Sequence, residues 1–452
     1  MVFSENGIIA KAREAADKTN QAVINEQEQM NELADYMENM LNGIDGNTTP
    51  EEPTLPSDGS YSETKGVNTP KLGAGMTPIK WNGSSWEETT GDDPEWYDYT
   101  AKKWANAKVE VEGVESYFVW IPRYAYSIKS MYHTKGDATT AGTIEVEFIK
   151  GLTNETSTGR TSFQNASGQG NWNIHPAFDY GEEVSGIWVA KFEASPVGAT
   201  TTPSNSEYDG TGKKLQVVPG VSSWRSITIS NAYDVCKAYN PGLNSHLMKN
   251  DEWGAVAYLS KSRYGKQNEE VWINNSSSYI TGSAGNSAVA SSNTGTDTNY
   301  ASTQGVKAST TGNVYGVYDM SGGAWERVAA YVNNENPNLT TYGNSLYTST
   351  DEKNKNVYIK EDDDTRLENY NTNTSKYGDA IYETSSGTYN GNDTYNNQSW
   401  YADHSSFSSA SYPFFARGGD HSNATRAGVF SFIDDNGTTY EWSSFRPALV
   451  AL

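Results

Sequence analysis

The chain has 452 residues and a formal net charge of −23, from 33 Lys+Arg against 56 Asp+Glu. An acidic balance of this size repels a phosphate backbone and an anionic membrane face, so nucleic acid is excluded as the main partner. Aromatic residues make up 12%, too many for a disordered acidic chain, while the mean hydropathy of −0.71 points to a Tyr/Trp-cored fold under long Ser/Thr/Asn/Gly surfaces.

The single cysteine, Cys236, excludes an intramolecular disulfide framework and a cysteine-built zinc site, and is read as a buried thiol packing as a small hydrophobe. No apolar run is long enough to cross a bilayer, and no signal-peptide core opens the chain.

In chain order, Ile8, Ala12, Ala15, Ala16, Ala22, Val23, Met30, Leu33, Ala34, Met37 and Leu41 fall near helical spacing between Lys, Glu and Gln, and Gly43 and Gly46 follow. That spacing predicts a long amphipathic N-terminal helix over residues 1–43. Residues 44–75 are rich in Thr, Pro, Ser and Gly and read as a flexible linker. From Met76 the pattern changes to short alternating runs: Pro78-Ile79-Lys80-Trp81 entering an Asn82-Gly83 turn, then Val109–Val111, Tyr117–Ile121, Ile144–Phe148 and Ile187–Phe192. These predict strands. Helices are predicted over Ile229–Tyr239, with a Ser/Asn-type cap and a stop at Asn240-Pro241-Gly242, and over Asn250–Leu259, starting behind Lys249. Few helices among irregular strands predict an α+β head with long loops over residues 76–452. The stretches Gly282–Thr311 and Asn333–Ser411 read as polar insertions that order by packing on that head.

Three resemblances add to this reading. Ser4-Glu5-Asn6-Gly7-Ile8-Ile9-Ala10-Lys11-Ala12 resembles the residues that follow the apolar half of the N-terminal helix in type IV pilin-like proteins of Gram-positive bacteria. That resemblance implies pilus or membrane attachment, with the apolar anchor expected to have been lost just before Phe3. Further on, Gly186–Glu193, Ser245–Trp253, Gly312–Glu326 (with Tyr318-Asp319-Met320-Ser321-Gly322 and Trp325-Glu326), Phe415-Ala416-Arg417-Gly418-Gly419 and Phe445-Arg446-Pro447 resemble the formylglycine-generating enzyme (sulfatase-modifying) family. The match covers roughly Gly186 to Leu452 and implies a C-type lectin-like fold. In purely physical terms, Tyr318, Met320, Trp325, Phe415 and Phe445 are core aromatics and apolars carried on short segments. Asp319, Glu326, Arg417 and Arg446 are expected to pair inside or at the rim, where the last residues return beside the first strands.

Enzymatic chemistry of that family is not expected. Its oxidase members use a pair of cysteines near the C-terminus to bind copper, and this chain has only Cys236. His133, His175, His246, His404 and His421 show no metal-ligand spacing, and Glu361-Asp362-Asp363-Asp364 lacks the alternating ligands and glycine of a calcium loop. No cofactor and no metal site are expected.

The segment Phe415–Leu449 is similar to the variable region of target proteins of diversity-generating retroelements, in which adenines of a template are mutated and Asn codons diversify within a fixed framework. The resemblance implies a variable region of about 417–446 and a framework of Arg417, Gly418, Gly419, Ala427, Gly428, Val429, Phe430, Phe432, Gly437, Phe445 and Arg446. With Asp319 and Trp325, the residues Arg417, Gly418, Gly419, Phe430, Phe432, Phe445 and Arg446 form the expected scaffold. The expected ligand-binding positions are Asp420, His421, Asn423, Thr425, Arg426, Ile433, Asp434, Asp435, Asn436, Thr438, Tyr440, Trp442 and Ser443. The genetic code offers a check, because an Asn codon altered only at its adenines cannot become Lys, Glu, Gln, Met or Trp. None of those types occurs from Arg417 to Tyr440; Glu441 and Trp442 break the pattern. Rigid aromatics beside small polar groups also have the composition of a paratope.

The sequence therefore leads to an extracellular, bacterial cell-surface protein that binds an unknown protein or glycan ligand, without covalent chemistry, through a diversified C-terminal face. An enzyme of the formylglycine-type fold with altered, metal-dependent chemistry and a structural pilus subunit stand as alternatives.

Overall fold

Apolar runs with little alternation belong to strands covered on both faces, and two such runs, Tyr117–Pro122 and Gly186–Ala190, organise this molecule. The computed structural model describes residues 57–203, 212–386 and 398–451. In chain order its main strands are β1 (Met76–Trp81), β2 (Trp86–Glu88), β3 (Asn106–Val111), β4 (Val114–Pro122), β5 (Gly186–Ala190), β6 (His246–Leu247), β7 (Trp325–Val332), β8 (Asn356–Tyr358), β9 (Phe414–Gly418), β10 (Gly428–Asp435), β11 (Ser443–Phe445) and β12 (Pro447–Leu449). A seven-stranded sheet has the order β6-β12-β5-β4-β3-β1-β2. In its centre Trp188 lies opposite both Trp120 and Leu449, so the last strand of the chain is built into the sheet between β5 and β6. Three further strands, Tyr124–Ile128, Ile144–Phe148 and Asn173–Ile174, pair antiparallel beside it.

The second large sheet has the order β8-β7-β9-β10, with β11 pairing parallel to β7. Between the strands the core is aromatic: Trp96, Trp104, Trp120, Trp188, Trp224, Trp253 and Trp400 are fully buried. Several indoles satisfy their N–H on a backbone carbonyl, as burial requires: Trp253 Nε1 donates to Val429 O at 2.8 Å and Trp400 Nε1 to Met131 O at 2.9 Å.

Two longer helices pack on these sheets. Helix α1 (Ile229–Tyr239) buries Ile229, Ala232, Tyr233, Cys236 and Tyr239, one stripe at helical spacing. Its cap is Thr228, whose hydroxyl accepts from Asn231 N at 3.2 Å, two residues before the expected Ser230. Burial pushes the Cys236 thiol well up. Helix α2 (Asn250–Lys261) is buried along its whole length and starts with the Glu252 carboxylate accepting from Lys249 N at 2.8 Å.

The expected α+β balance is not what the chain adopts. Among the described residues strand outweighs helix, 26% against 16%, and the five α-helices are short, so the fold is β-rich. The physical reason lies in the segments between the strands, where Ser, Thr, Asn and Gly favour turns and local side-chain bonds over helix. The expected long helix over residues 1–43 lies outside the described residues. The expected linker is folded from Ser57 onward: Tyr61–Ser62 pairs antiparallel with Val67–Asn68, and Val67 is buried in the main core. No helix of the described residues is long and apolar enough to cross a membrane.

Candidate binding face

Strands β9 and β10 run antiparallel, with Ala416 opposite Ile433 and Arg417 opposite Phe432; a bulge between Arg417 and Gly418 breaks the ladder. Gly418 and Gly419 have φ of +86° and +81°, a left-handed backbone that glycine takes without a Cβ clash. A Cβ on Gly419 would lie 2.7 Å from the Cα of Ala427, so glycine also lets the two ends of the loop Asp420–Arg426 close on each other. On the other side, β11 runs parallel to β7 with Ser443 beside Trp325, and Trp325 N donates to Trp442 O at 2.8 Å.

The loop, the end of β10 and the turn before β11 enclose a cavity of about 660 Å³. Of the thirteen expected ligand-binding positions, Asp420, Asn423, Arg426, Ile433, Asp434, Asp435, Tyr440, Trp442 and Ser443 line it; His421, Thr425, Asn436 and Thr438 do not. His421 turns instead to Tyr279, edge to face at 4.8 Å, and shares a hydrogen bond with Ser292 Oγ at 2.9 Å. Burial lowers its pKa, against the opposing charge of Asp420. Thr425 is exposed. Asn436 Nδ2 donates to the Tyr440 hydroxyl at 2.9 Å, and Thr438 gives its carbonyl to Arg327.

Tyr440 and Trp442 are stacked, with ring centroids 4.6 Å apart and 15° between planes, and Trp442 is 41% exposed. They form a rigid aromatic rim. The charges of the cavity are largely committed to partners within the protein. Arg366 Nη2 meets Asp434 Oδ2 at 2.6 Å, and Arg327 Nε meets Asp435 Oδ1 at 3.1 Å. Burial pushes the Asp434 carboxyl up to about 6 even though Arg366 pulls it down. Burial, with Arg426 and Arg366 nearby, lowers His404 to about 3, so its imidazole is neutral at ordinary pH.

Trp325 is buried and also lines the cavity, and behind it Asp319, Arg417, Gly418, Gly419, Phe430, Phe432, Phe445 and Arg446 are all buried. Arg446 pairs with Glu326. Asp319, at φ +61°, accepts from Asn274 Nδ2 at 2.9 Å and from Gly282 N at 2.8 Å, fixing the loop that starts at Gly282. Arg417 departs from the expected charge pairing: its guanidinium donates to the carbonyls of Ser431, Asp379 and Ala380 and to Asn250 Oδ1. Burial lowers it to about 10.

Sequence reasoning missed one wall. Arg366, His404 and Tyr412 also line the cavity; the first two come from the stretch read as an insertion, and Tyr412 follows directly after it. Its many tyrosines signalled packing on the head but not which face it would cover. The acidic turn Glu361–Asp364 is partly bound within the fold, Asp364 accepting from Asn334 and Asn369.

No family model matches the chain, and no curated protein matches it. Among solved structures the chain is similar to the Major Tropism Determinant P3c variant at 11% identity, over 77% of this chain and 82% of that one, with a TM-score of 0.23. A likeness at that score carries no argument about function. What fold and site define is a β-rich scaffold with a concave, aromatic-rimmed cavity whose walls come from Trp325, Arg366 and the stretch His404–Ser443.

Proposed function

We propose that this protein is a ligand-binding protein of the bacterial cell surface, adhesin- or receptor-like, whose C-terminal segment is a retroelement-diversified binding face on a fixed β-rich scaffold. The observation that carries the reading is a division of labour within one short segment: eight of the positions expected to vary line one cavity beside Asp435, which its ion pair with Arg327 fixes, while the expected framework residues are buried beneath it. A fixed scaffold that tolerates exchange at its exposed loop positions is what a diversified binder needs. The residue types from Arg417 to Tyr440 also fit adenine-directed mutation of Asn codons. The role involves no covalent chemistry, and the committed state of the cavity's charged groups fits binding better than proton transfer.

The test is binding of the labelled full chain to cells of the source community, read by flow cytometry, beside a triple variant Asn423→Ala/Tyr440→Ala/Trp442→Ala. The reading expects the variant to keep its circular dichroism spectrum and thermal midpoint and to lose binding. Equal binding by both chains would remove the cavity from the function.

A further inference from the structure

Resting on the binding-face reading, we propose that the cavity takes a ring of a neutral saccharide, stacked on the exposed side of Trp442. Three observations lead there. The first is shape: a hollow of about 660 Å³ lies within the roughly 300–1,000 Å³ of sites that enclose small ligands. A polypeptide partner is instead held by about 800 Å² of surface on each side.

The second is the aromatic rim. Tyr440 covers one face of the Trp442 indole, and the Tyr440 hydroxyl is held by Asn436, so the 41% of Trp442 that remains exposed belongs to a platform already rigid before binding. The negative face of an aromatic ring attracts the weakly positive C–H hydrogens on the apolar side of a pyranose, and a rigid platform loses little entropy when it is covered.

The third is charge and hydrogen bonding. Asp434 and Asp435 are neutralised by Arg366 and Arg327, and His404 is neutral. The net charge of −23 also disfavours an anionic glycan. Among the described residues the buried Ser443 hydroxyl, which lines the cavity, has no hydrogen-bond partner. An unsatisfied buried hydroxyl is costly, and a rotation of the Ser443 side chain toward the cavity would let a sugar hydroxyl satisfy it.

The experiment is saturation-transfer NMR on the full chain, with methyl glycosides of glucose, galactose and mannose and with N-acetylglucosamine as probes at millimolar concentration. At least one probe should receive saturation at its ring C–H protons, and Trp442→Ala should weaken that binding at least tenfold. Ser443→Ala, which keeps the platform, should weaken it less. Trp442 is exposed, so its variant should keep the wild-type thermal midpoint. In parallel, a random peptide library is selected on the wild-type chain and each hit is assayed on Trp442→Ala. Peptides that require Trp442, together with no saccharide response, would overturn the saccharide class and leave the binding face standing. If neither probe set distinguishes wild type from Trp442→Ala, both readings fall.

Discussion

Arg446 and Glu326 form a two-pronged ion pair with both side chains about 1% exposed, its Nε–Oε2 arm at 2.6 Å. The same guanidinium donates to Ala190 O at 3.1 Å and Tyr318 O at 3.0 Å, so one side chain ties the end of the chain to β5, to β7 and to the loop before it. Glu193 and Asp319 lie close enough to feel its charge. Removing the cation would leave buried carboxylates uncompensated, which costs about 3–5 kcal/mol. Arg446→Ala should lower stability by that amount in urea unfolding, and Arg446→Lys should recover only part of it because the forked geometry is lost.

Lys191 is fully buried without a carboxylate partner. Its ammonium donates to Asn106 Oδ1 at 2.8 Å, Val314 O at 2.6 Å and Gly316 O at 2.9 Å, and burial pushes its pKa well down. Lys191→Met keeps the volume and strands three acceptors, so a loss of about 3–5 kcal/mol is expected. The thermal midpoint of the purified variant checks it.

The Asp434 carboxyl, pushed up to about 6, gives a pH dependence with a definite sign. Between about pH 4 and 6 the folded chain holds a proton there that the unfolded chain has released, so this group favours folding at low pH and loses that contribution as pH rises. Asn cannot titrate. The stability of Asp434→Asn relative to wild type should therefore rise between pH 4 and pH 7, by about 2–3 kcal/mol at 1.4 kcal/mol per unit. Urea midpoints measured across that range test it, and a flat difference would contradict it.

His175 shows the opposite sign. Buried among Tyr124, Tyr126 and Tyr258, it is lowered to about 3, chiefly by burial, while its Nδ1 accepts from Ala177 N at 3.2 Å. Below pH 6.5 the unfolded chain takes up a proton that the folded one refuses, so stability falls as pH drops toward 3. His175→Asn preserves the capping acceptor and removes the titration. Its acid limb should be shallower than that of wild type by about 1.4 kcal/mol per pH unit, as read by urea unfolding at pH 4, 5 and 6.

These pairs also mark what the amino-acid sequence reveals and what it conceals. The strands around Trp120 and Trp188 and the boundaries of α1 follow from local pattern, and local pattern is legible, whereas the return of the terminal residues beside β5 is expected only from the family resemblance. The cavity's far wall is not, because Arg366 meets Asp434 across 68 residues and nothing near either residue announces the other. Asp435 looks exchangeable by residue type, yet it is buried against Arg327; a reading based on codon chemistry cannot see an ion pair. The α+β assignment missed the β-rich balance for a similar reason, since short strands joined by loops bound through Asn and Ser side chains leave little periodicity to read.

The most direct test of the diversified face is deep sequencing of the 3′ end of the gene across the source population, codon by codon. The account predicts substitutions concentrated at Asp420, Asn423, Arg426, Ile433 and Tyr440 and traceable to template adenines, with Arg417, Phe430, Phe432, Asp435 and Arg446 unchanged. A segment as invariant as the first half of the gene would contradict it.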